Sequence, residues 1–378
     1  MKSYKSNISK TNPLSYTIET TWLGKVFCLQ QFFPKYSFIF RVCGLPVWAS
    51  KWKGSRLIYR VLGIPVYIQN KSPIFFHSFC KQLTEIFPQY DSFYVFCGHS
   101  GEFFLLMHHF QELLTKNHSK KPLCIFFAGY HKQIFQLFFP DMPCQVLKDV
   151  DVIALSNGVK QSSNYCDNKL IFFPFYEDYF HAVEKAIRTQ SAHYYACITK
   201  HLSLTKDIIS YQLPADIQTK MEKIATHVLN NKFVFLSPET LSNVPLSAQF
   251  WETLAISLRK RGYELFCNVM NFENLIPGSI SIFLTYPETM ALAKHASAII
   301  GMRSGLLECV AAKEVPLFAL YTDFPKRIGF EPCPSDKVLS GWSLKKLPHI
   351  DPSTPIYEVD VNSYPDETSI IKYMLNKL

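Results

Sequence analysis

The stretch Ala298-Ile299-Ile300-Gly301-Met302-Arg303-Ser304-Gly305-Leu306-Leu307-Glu308-Cys309-Val310-Ala311-Ala312-Lys313-Glu314-Val315-Pro316-Leu317-Phe318-Ala319-Leu320-Tyr321 decides the fold. It reads as a buried strand, a tight polar turn holding Ser304-Gly305, a short helix and a second apolar strand. A helix entered through a Ser-Gly turn presents free backbone N–H groups and a positive dipole end, a place where phosphate binds. In an open parallel sheet that turn lies at the carboxyl ends of the strands, in the ligand crevice. An ordinary βαβ turn with no ligand is the competing reading.

Outward from this stretch, strands and helices alternate from Ser72 onward. Strands are predicted over 91–97, 122–129, 151–155 and 170–175, with helices over 102–115, 131–138 and 177–188. A polar stretch over 208–220, containing Pro214, marks a boundary. A second series follows: a strand over 232–236, a loop with Pro238 and Pro245, and a helix over 247–261 ended by Gly262. Strands over 263–267 and 279–284 and a helix over 287–294 complete it. Strands separated by helices predict α/β architecture with parallel sheets. The economical arrangement is two Rossmann-like domains facing a cleft, residues 72–210 and 211–378, behind a small basic β-rich appendage over 1–71.

That appendage carries the charge. The net charge is +9, yet residues 1–71 hold eleven Lys/Arg against one acid, Glu19, so the rest of the chain is nearly neutral. Basic residues interleaved with Trp48, Trp52, Tyr59 and Tyr67 suit an anionic membrane surface. No nucleic-acid motif accompanies them, and a solvated basic face without a partner competes with both. The appendage also contains a repeat: Phe38-Ile39-Phe40-Arg41-Val42-Cys43-Gly44-Leu45-Pro46-Val47-Trp48 is echoed by Leu57-Ile58-Tyr59-Arg60-Val61-Leu62-Gly63-Ile64-Pro65-Val66-Tyr67. Each copy reads as a strand, a Gly-containing break and a short strand limited by its Pro.

Other classes are excluded by composition. At 48% apolar and 15% aromatic the chain affords a large core, which rules out global disorder. Its 11 Cys form no CxxC pair and no regular framework, a pattern of reduced thiols in a cytoplasm. Neither CxxC nor HExxH occurs, so no metal site is expected. No signal-peptide pattern opens the chain and no stretch has the length of a spanning helix, which points to a cytoplasmic protein, soluble or peripheral on the inner membrane face.

The quoted stretch and its order of elements resemble the ADP-heptose:lipopolysaccharide heptosyltransferases and related GT-B glycosyltransferases. Gly301, Ser304, Gly305, Ala311, Ala312 and Pro316 stand at matching positions. Phe250-Trp251 and Arg261-Gly262-Tyr263 look like the family's upstream helix and following strand, and Ser237-Pro238-Glu239 sits at its nucleotide-sugar loop. Arg303 replaces the family's usual Asp and Glu308 its usual His. Arg suits a diphosphate bidentately and Glu accepts from ribose hydroxyls; a surface ion pair and a first-turn acid are the plainer roles. In the amino half, Gly101-Glu102 matches the family's Gly-Asp pair, whose Asp acts as base. The resemblance thus implies Glu102 as catalytic base and Ser237, Glu239, Arg303, Ser304, Gly305 and Glu308 as donor-binding residues. His99, Ser100, His131 and Lys132 lie on the acceptor side.

The implied activity is inverting, metal-independent transfer of a sugar from a nucleotide-sugar donor to a bacterial lipopolysaccharide or surface-polysaccharide acceptor, with no further cofactor. Two rivals stand beside it. One is a non-catalytic scaffold with degenerate Rossmann halves. The other is a serine hydrolase using Ser100, although a nucleophile elbow needs Gly where Glu102 stands. A helix cap is the alternative role for Glu102.

Overall fold

The computed structural model describes residues 3–8, 16–22, 27–33, 37–43, 45–53, 56–62, 64–70, 72–96, 98–147, 170–173, 189, 192–205, 208–227, 232–240, 243–269, 275–281, 283–325 and 332–378. The architecture is mixed α/β with two parallel sheets and one antiparallel sheet. By contacts the chain divides into two compact units. One comprises Met1–Gly98, Lys116–Lys132 and Asp141–Tyr176; the other comprises His99–Thr115, Gln133–Pro140 and Glu177–Leu378.

The antiparallel sheet holds β1 (Ser3–Ile8), β2 (Tyr16–Trp22), β3 (Phe27–Phe33), β4 (Ser37–Val42), β5 (Leu45–Lys53), β6 (Arg56–Val61) and β7 (Ile64–Asn70), paired in sequence order. The sequence repeat is also a structural one. Both copies are hairpins, both shift register after an aromatic residue (Phe40/Arg41 and Tyr59/Arg60), and both turn through a residue at positive φ (Cys43, 49°; Leu62, 48°). The prolines do not limit their strands: β5 continues from Pro46 to Lys53. Pro46 pairs with Arg41 and Pro65 with Arg60, each beside the register shift, and a bulge is where a sheet tolerates a residue without an N–H.

After α1 (Ser72–Ile86), a four-stranded parallel sheet is ordered β10-β9-β8-β11, with β8 at Ser92–Phe96, β9 at Pro122–Phe126, β10 at Cys144–Val146 and β11 at Leu170–Phe173. Its strands are continuous apolar runs such as Phe93-Tyr94-Val95-Phe96, all four fully buried, as expected of a sheet covered on both faces. α2 (Ser100–Lys116) follows β8 and α3 (Gly129–Phe138) follows β9. The predicted strand over 151–155 and helix over 177–188 lie outside the described residues.

The six-stranded parallel sheet is ordered β14-β13-β12-β15-β16-β17. Its strands are β12 (Phe233–Ser237), β13 (Glu264–Cys267), β14 (Ile280–Ser281), β15 (Ala298–Met302), β16 (Leu317–Tyr321) and β17 (Ile356–Asp360). Numbered within this sheet the order is 3-2-1-4-5-6, the doubly wound arrangement of dinucleotide-binding folds, and the order of strand addition reverses between the parallel neighbours β12 and β15. The helices of this half are α4 (Tyr194–His201), α5 (Ala215–His227), α6 (Ala248–Lys260), α7 (Tyr286–Ala293), α8 (Gly305–Val310), α9 (Ser335–Trp342) and α10 (Glu367–Lys377).

Local chemistry sets these helices. The Ser247 hydroxyl accepts from the N–H of Phe250 at 3.0 Å to start α6, and Gly262 at φ 79° follows its end. Phe250, Trp251, Leu254 and Leu258 recur at helical spacing and bury against Val234, Ile300 and Phe318. α7 opens with a Thr285/Glu288 capping box and Pro287 in its first turn. α5 begins within the polar stretch read as a boundary. Beyond Tyr321 the structure adds α9, β17 and α10, and Ile370, Ile371 and Met374 of α10 join the core around β12 and β15. Among the described residues no helix is long and apolar enough to cross a membrane.

Candidate active site

The reversal between β12 and β15 fixes where a ligand meets the doubly wound sheet, in the crevice outside the carboxyl ends of these two strands. Ser237 ends β12 and registers with Gly301 of β15. Glu239 therefore leaves one strand at this point, and Arg303, Ser304 and Gly305 leave the other. Ser237 is buried and Glu239 half-buried. Asn243, from the loop after β12, reaches the carbonyl of Arg303 with its side-chain amide at 3.4 Å.

Arg303 and Glu308 form one buried pair, 6% and 4% exposed, with Nη2 donating to Oε1 at 2.5 Å. Arg303 also donates Nε–H to the carbonyl of Trp342 at 2.8 Å and Nη1–H to that of Ser304 at 2.9 Å. Three of its five N–H groups are thus held by the protein. Burial alone would lower its pKa, but Glu308 and the hydroxyls of Tyr321 and Tyr194 hold it above the ordinary arginine range. Arg303 is therefore a permanent cation in the strand-to-helix turn, and an ion pair is its first role, one buried in the protein.

Tyr194 closes the other side of Glu308. Its hydroxyl donates to Oε2 at 2.6 Å from the first turn of α4, and burial followed by the Glu308 charge keeps the phenol well above its usual range. His193, the cap of α4, accepts the N–H of Tyr195 at Nδ1 and donates Nε2–H to the carbonyl of Ser343 at 2.9 Å. Both bonds require the neutral Nε2–H tautomer, and burial with Arg303 nearby pushes its pKa down to about 3. Glu358 completes the cluster, accepting from Tyr321 at 2.8 Å and from Ser343 at 2.9 Å.

The start of α2 meets this cluster. A Cβ on Gly305 would lie 2.4 Å from the Gly101 nitrogen and 2.6 Å from Ser100 Oγ, while one on Gly101 would lie 2.7 Å from Glu308 Oε1. Only glycine permits backbones this close. Glu102, half-buried, accepts the N–H of His99 at 3.1 Å. Burial raises its carboxyl pKa against the opposing pull of His99, and Glu308 raises it further against that of Arg303. Glu102, Ser100 and Gly101 are thereby brought to Arg303, Gly305 and Glu308. The cap bond and a place beside the cluster both belong to Glu102.

The remaining acceptor-side residues divide. His99 is exposed and Ser100 half-buried. His131 is buried and bonds the Gly98 carbonyl at 2.9 Å through Nε2, while Lys132 is exposed; both belong to the unit containing β8 and β9. Sequence reasoning missed Tyr194, His193, Tyr321 and Glu358. Only the run His193-Tyr194-Tyr195, with three hydrogen-bonding rings in succession, offered a signal. Among the described residues no group of three or more His, Cys, Asp or Glu side chains is arranged to hold a metal ion.

Compared with protein-family models and with curated protein sequences, the chain matches none. Among solved structures it is similar to a glycosyl transferase of family 9 from Veillonella parvula, at 14% identity over 76% of this chain and 89% of that one, with a TM-score of 0.45. It is also similar to the ADP-heptose LPS heptosyltransferase II of E. coli, at 10% identity over 76% and 98%, TM-score 0.46. A third is the iron-containing dodecameric glycosyltransferase TibC of enterotoxigenic E. coli, at 12% identity over 71% and 67%, TM-score 0.41.

Proposed function

We propose that this protein is a glycosyltransferase that moves a sugar from a nucleotide-sugar donor to a bacterial lipopolysaccharide or surface-polysaccharide acceptor. The observation that carries the reading is the meeting of two sequence-read loops at the crevice of a 3-2-1-4-5-6 sheet. Arg303, Ser304 and Gly305 come from one loop, and Gly101-Glu102 from the other. In this reading the donor's diphosphate lies at the end of β15. The Ser304 hydroxyl, buried and without a partner among the described residues, meets one phosphate oxygen. The two N–H groups of Arg303 left over from its protein bonds meet another.

Glu102 takes the proton of the acceptor hydroxyl as that oxygen attacks the anomeric carbon. The nucleoside diphosphate leaves from the opposite face, so configuration inverts. A carboxyl pKa raised by burial makes Glu102 a stronger base once ionised. Arg303 and the turn N–H groups receive the charge that develops on the leaving diphosphate.

One observation favours a second, non-catalytic reading. Glu308 and the carbonyls of Trp342 and Ser304 already engage Arg303, as they would in a purely structural pair. Calorimetric titration with nucleoside diphosphates separates the two. The transferase reading expects binding by the wild type and a loss of about five- to tenfold in Ser304→Ala, the cost of one hydrogen bond. Absence of binding by any nucleoside diphosphate to the folded protein refutes it.

A further inference from the structure

The antiparallel register sorts the amino-terminal sheet into two chemically opposite faces. Paired residues on neighbouring antiparallel strands share a face, and positions alternate along each strand. Following the pairs from β1 to β7 places Lys5, Arg41, Lys51, Lys53, Arg56 and Arg60 on one face, with Glu19 the single acid among the strand residues. The other face holds Trp22, Phe33, Phe40, Trp48, Trp52 and Tyr59 and, among the described strand residues, no Lys, Arg, Asp or Glu. Neither property is visible in the sequence, where cations and aromatics are interleaved.

The two hairpin ends of the repeat add a second observation. They lie at the same end of the sheet, joined by the Leu62 N–H to the carbonyl of Val47 at 2.9 Å. Leu62 is 70% exposed, Val61 is 41% exposed, and Arg60 and Cys43 are exposed beside them. Leu62 and Cys43 also hold positive φ, a conformation disfavoured for residues with a side chain. An apolar side chain kept in water on a strained turn lacks a role in the folded chain alone.

We infer that the cationic face and these hairpin ends seat the protein on an anionic lipid membrane. Charge complementarity selects an anionic partner, since six cations face a single carboxylate. The placement of the apolar residues selects lipid over nucleic acid. Single-strand binders need stacking rings among their cations, and here Phe32 is the one aromatic among the described strand residues that shares the cationic face, the others lying opposite. The cationic positions share their face with Ile39 and Ile58, and Leu62 is exposed at the adjoining hairpin end, a mixture suited to headgroups above an acyl boundary. Two copies of this chain would repel each other through the same face. The inference does not depend on the transferase reading.

The test is co-sedimentation of the full chain with vesicles of phosphatidylcholine alone or with phosphatidylglycerol added. Binding should require the anionic lipid and weaken steeply between 0.05 and 0.5 M salt, as the screening length shrinks (these concentrations span roughly the range over which it falls several-fold). K51Q/K53Q/R56Q should lower the partition coefficient about 100-fold, at about fivefold per cation. The charge-preserving K51R/K53R/R56K should bind as wild type, and L62D, which leaves the cationic face intact, should also bind more weakly. Equal binding to neutral vesicles overturns the inference, as does undiminished binding by the neutralised triple variant. Tighter, salt-sensitive binding to single-stranded RNA than to anionic vesicles replaces it with a nucleic-acid partner. Should the triple variant fail to fold, the L62D comparison decides, because wild-type binding by folded L62D removes the hairpin ends from the interface. Nucleoside diphosphate titration of the same samples without vesicles reports independently on the transferase site.

Discussion

Glu308→Ala puts the buried cluster to its most demanding test. The substitution removes the carboxylate that faces Arg303 at 2.5 Å and accepts from Tyr194 at 2.6 Å. It leaves a guanidinium only 6% exposed without its counter-charge, since the carbonyls of Trp342 and Ser304 are dipoles and do not neutralise it. Breaking one side of a buried pair costs about 3–5 kcal/mol, a large share of the roughly 5–15 kcal/mol that holds a domain folded. With a urea slope near 3 kcal/mol/M for a chain of this size, the midpoint should fall by about 1–1.7 M. Fluorine NMR of fluorotryptophan-labelled protein, read at buried Trp251, follows the transition in the half that carries the pair. The decisive comparison is the double variant Arg303→Met/Glu308→Leu. Replacing both charges with apolar groups removes the uncompensated ion and should recover most of the loss. A single-variant cost below about 0.5 kcal/mol, or simple additivity in the cycle, would refute the view that these residues stabilise one another.

Two further outcomes follow, the first from the same cluster and the second from it and two other histidines, His108 and His349. Glu102→Gln should reduce turnover by roughly two to four orders of magnitude while nucleoside diphosphate affinity persists, read by product formation and calorimetry on one preparation; loss of stability with normal turnover per folded molecule would make Glu102 a cap alone. Folding stability should also fall as pH drops below about 6.5, the ordinary histidine value. Burial pushes His108 and His193 down to about 3 and His349 to about 4, so between these values and 6.5 the unfolded chain takes up protons that the folded one excludes. Each histidine contributes a slope of up to about 1.4 kcal/mol per pH unit in that window, and urea midpoints that stay flat from pH 7 to 4.5 would contradict it.

What the sequence made legible follows from what each signal depends on. The strand-turn-helix-strand of 298–321 was readable because burial on both faces writes continuous apolar runs, and because Ser304-Gly305 breaks them. The α6 boundaries were readable because Ser247 and Gly262 act locally. Pro46 misled for the same reason: its missing N–H is a local fact, while the bulge that accommodates it depends on the neighbouring strand. Tyr194 was invisible because its partner stands 114 residues away, and no periodicity encodes a hydrogen bond across that separation. The two-faced amino-terminal sheet needed the register of every pair before its charges sorted.

The pair Gly101 and Gly305 links the fold to the chemistry. Each sits in the first turn of a helix that follows a parallel strand; the sequence reading had Gly101 in a Gly-Glu pair and Gly305 in a donor-binding turn, without their approach to each other. Their approach, with a Cβ on Gly305 falling 2.4 Å from the Gly101 nitrogen, allows the start of α2 to reach a site built otherwise from the ends of β12 and β15. Without it, Glu102 would be an acid favoured by a helix dipole, and Glu308 would be half of an isolated ion pair. With it, two carboxylates and one guanidinium share a poorly solvated space, where Glu308 and Arg303 pull the Glu102 pKa in opposite directions. The same environment that costs folding energy is the one a proton-transfer site requires, and separating those roles takes Glu308→Ala and Glu102→Gln together: the first should act on stability, the second on turnover.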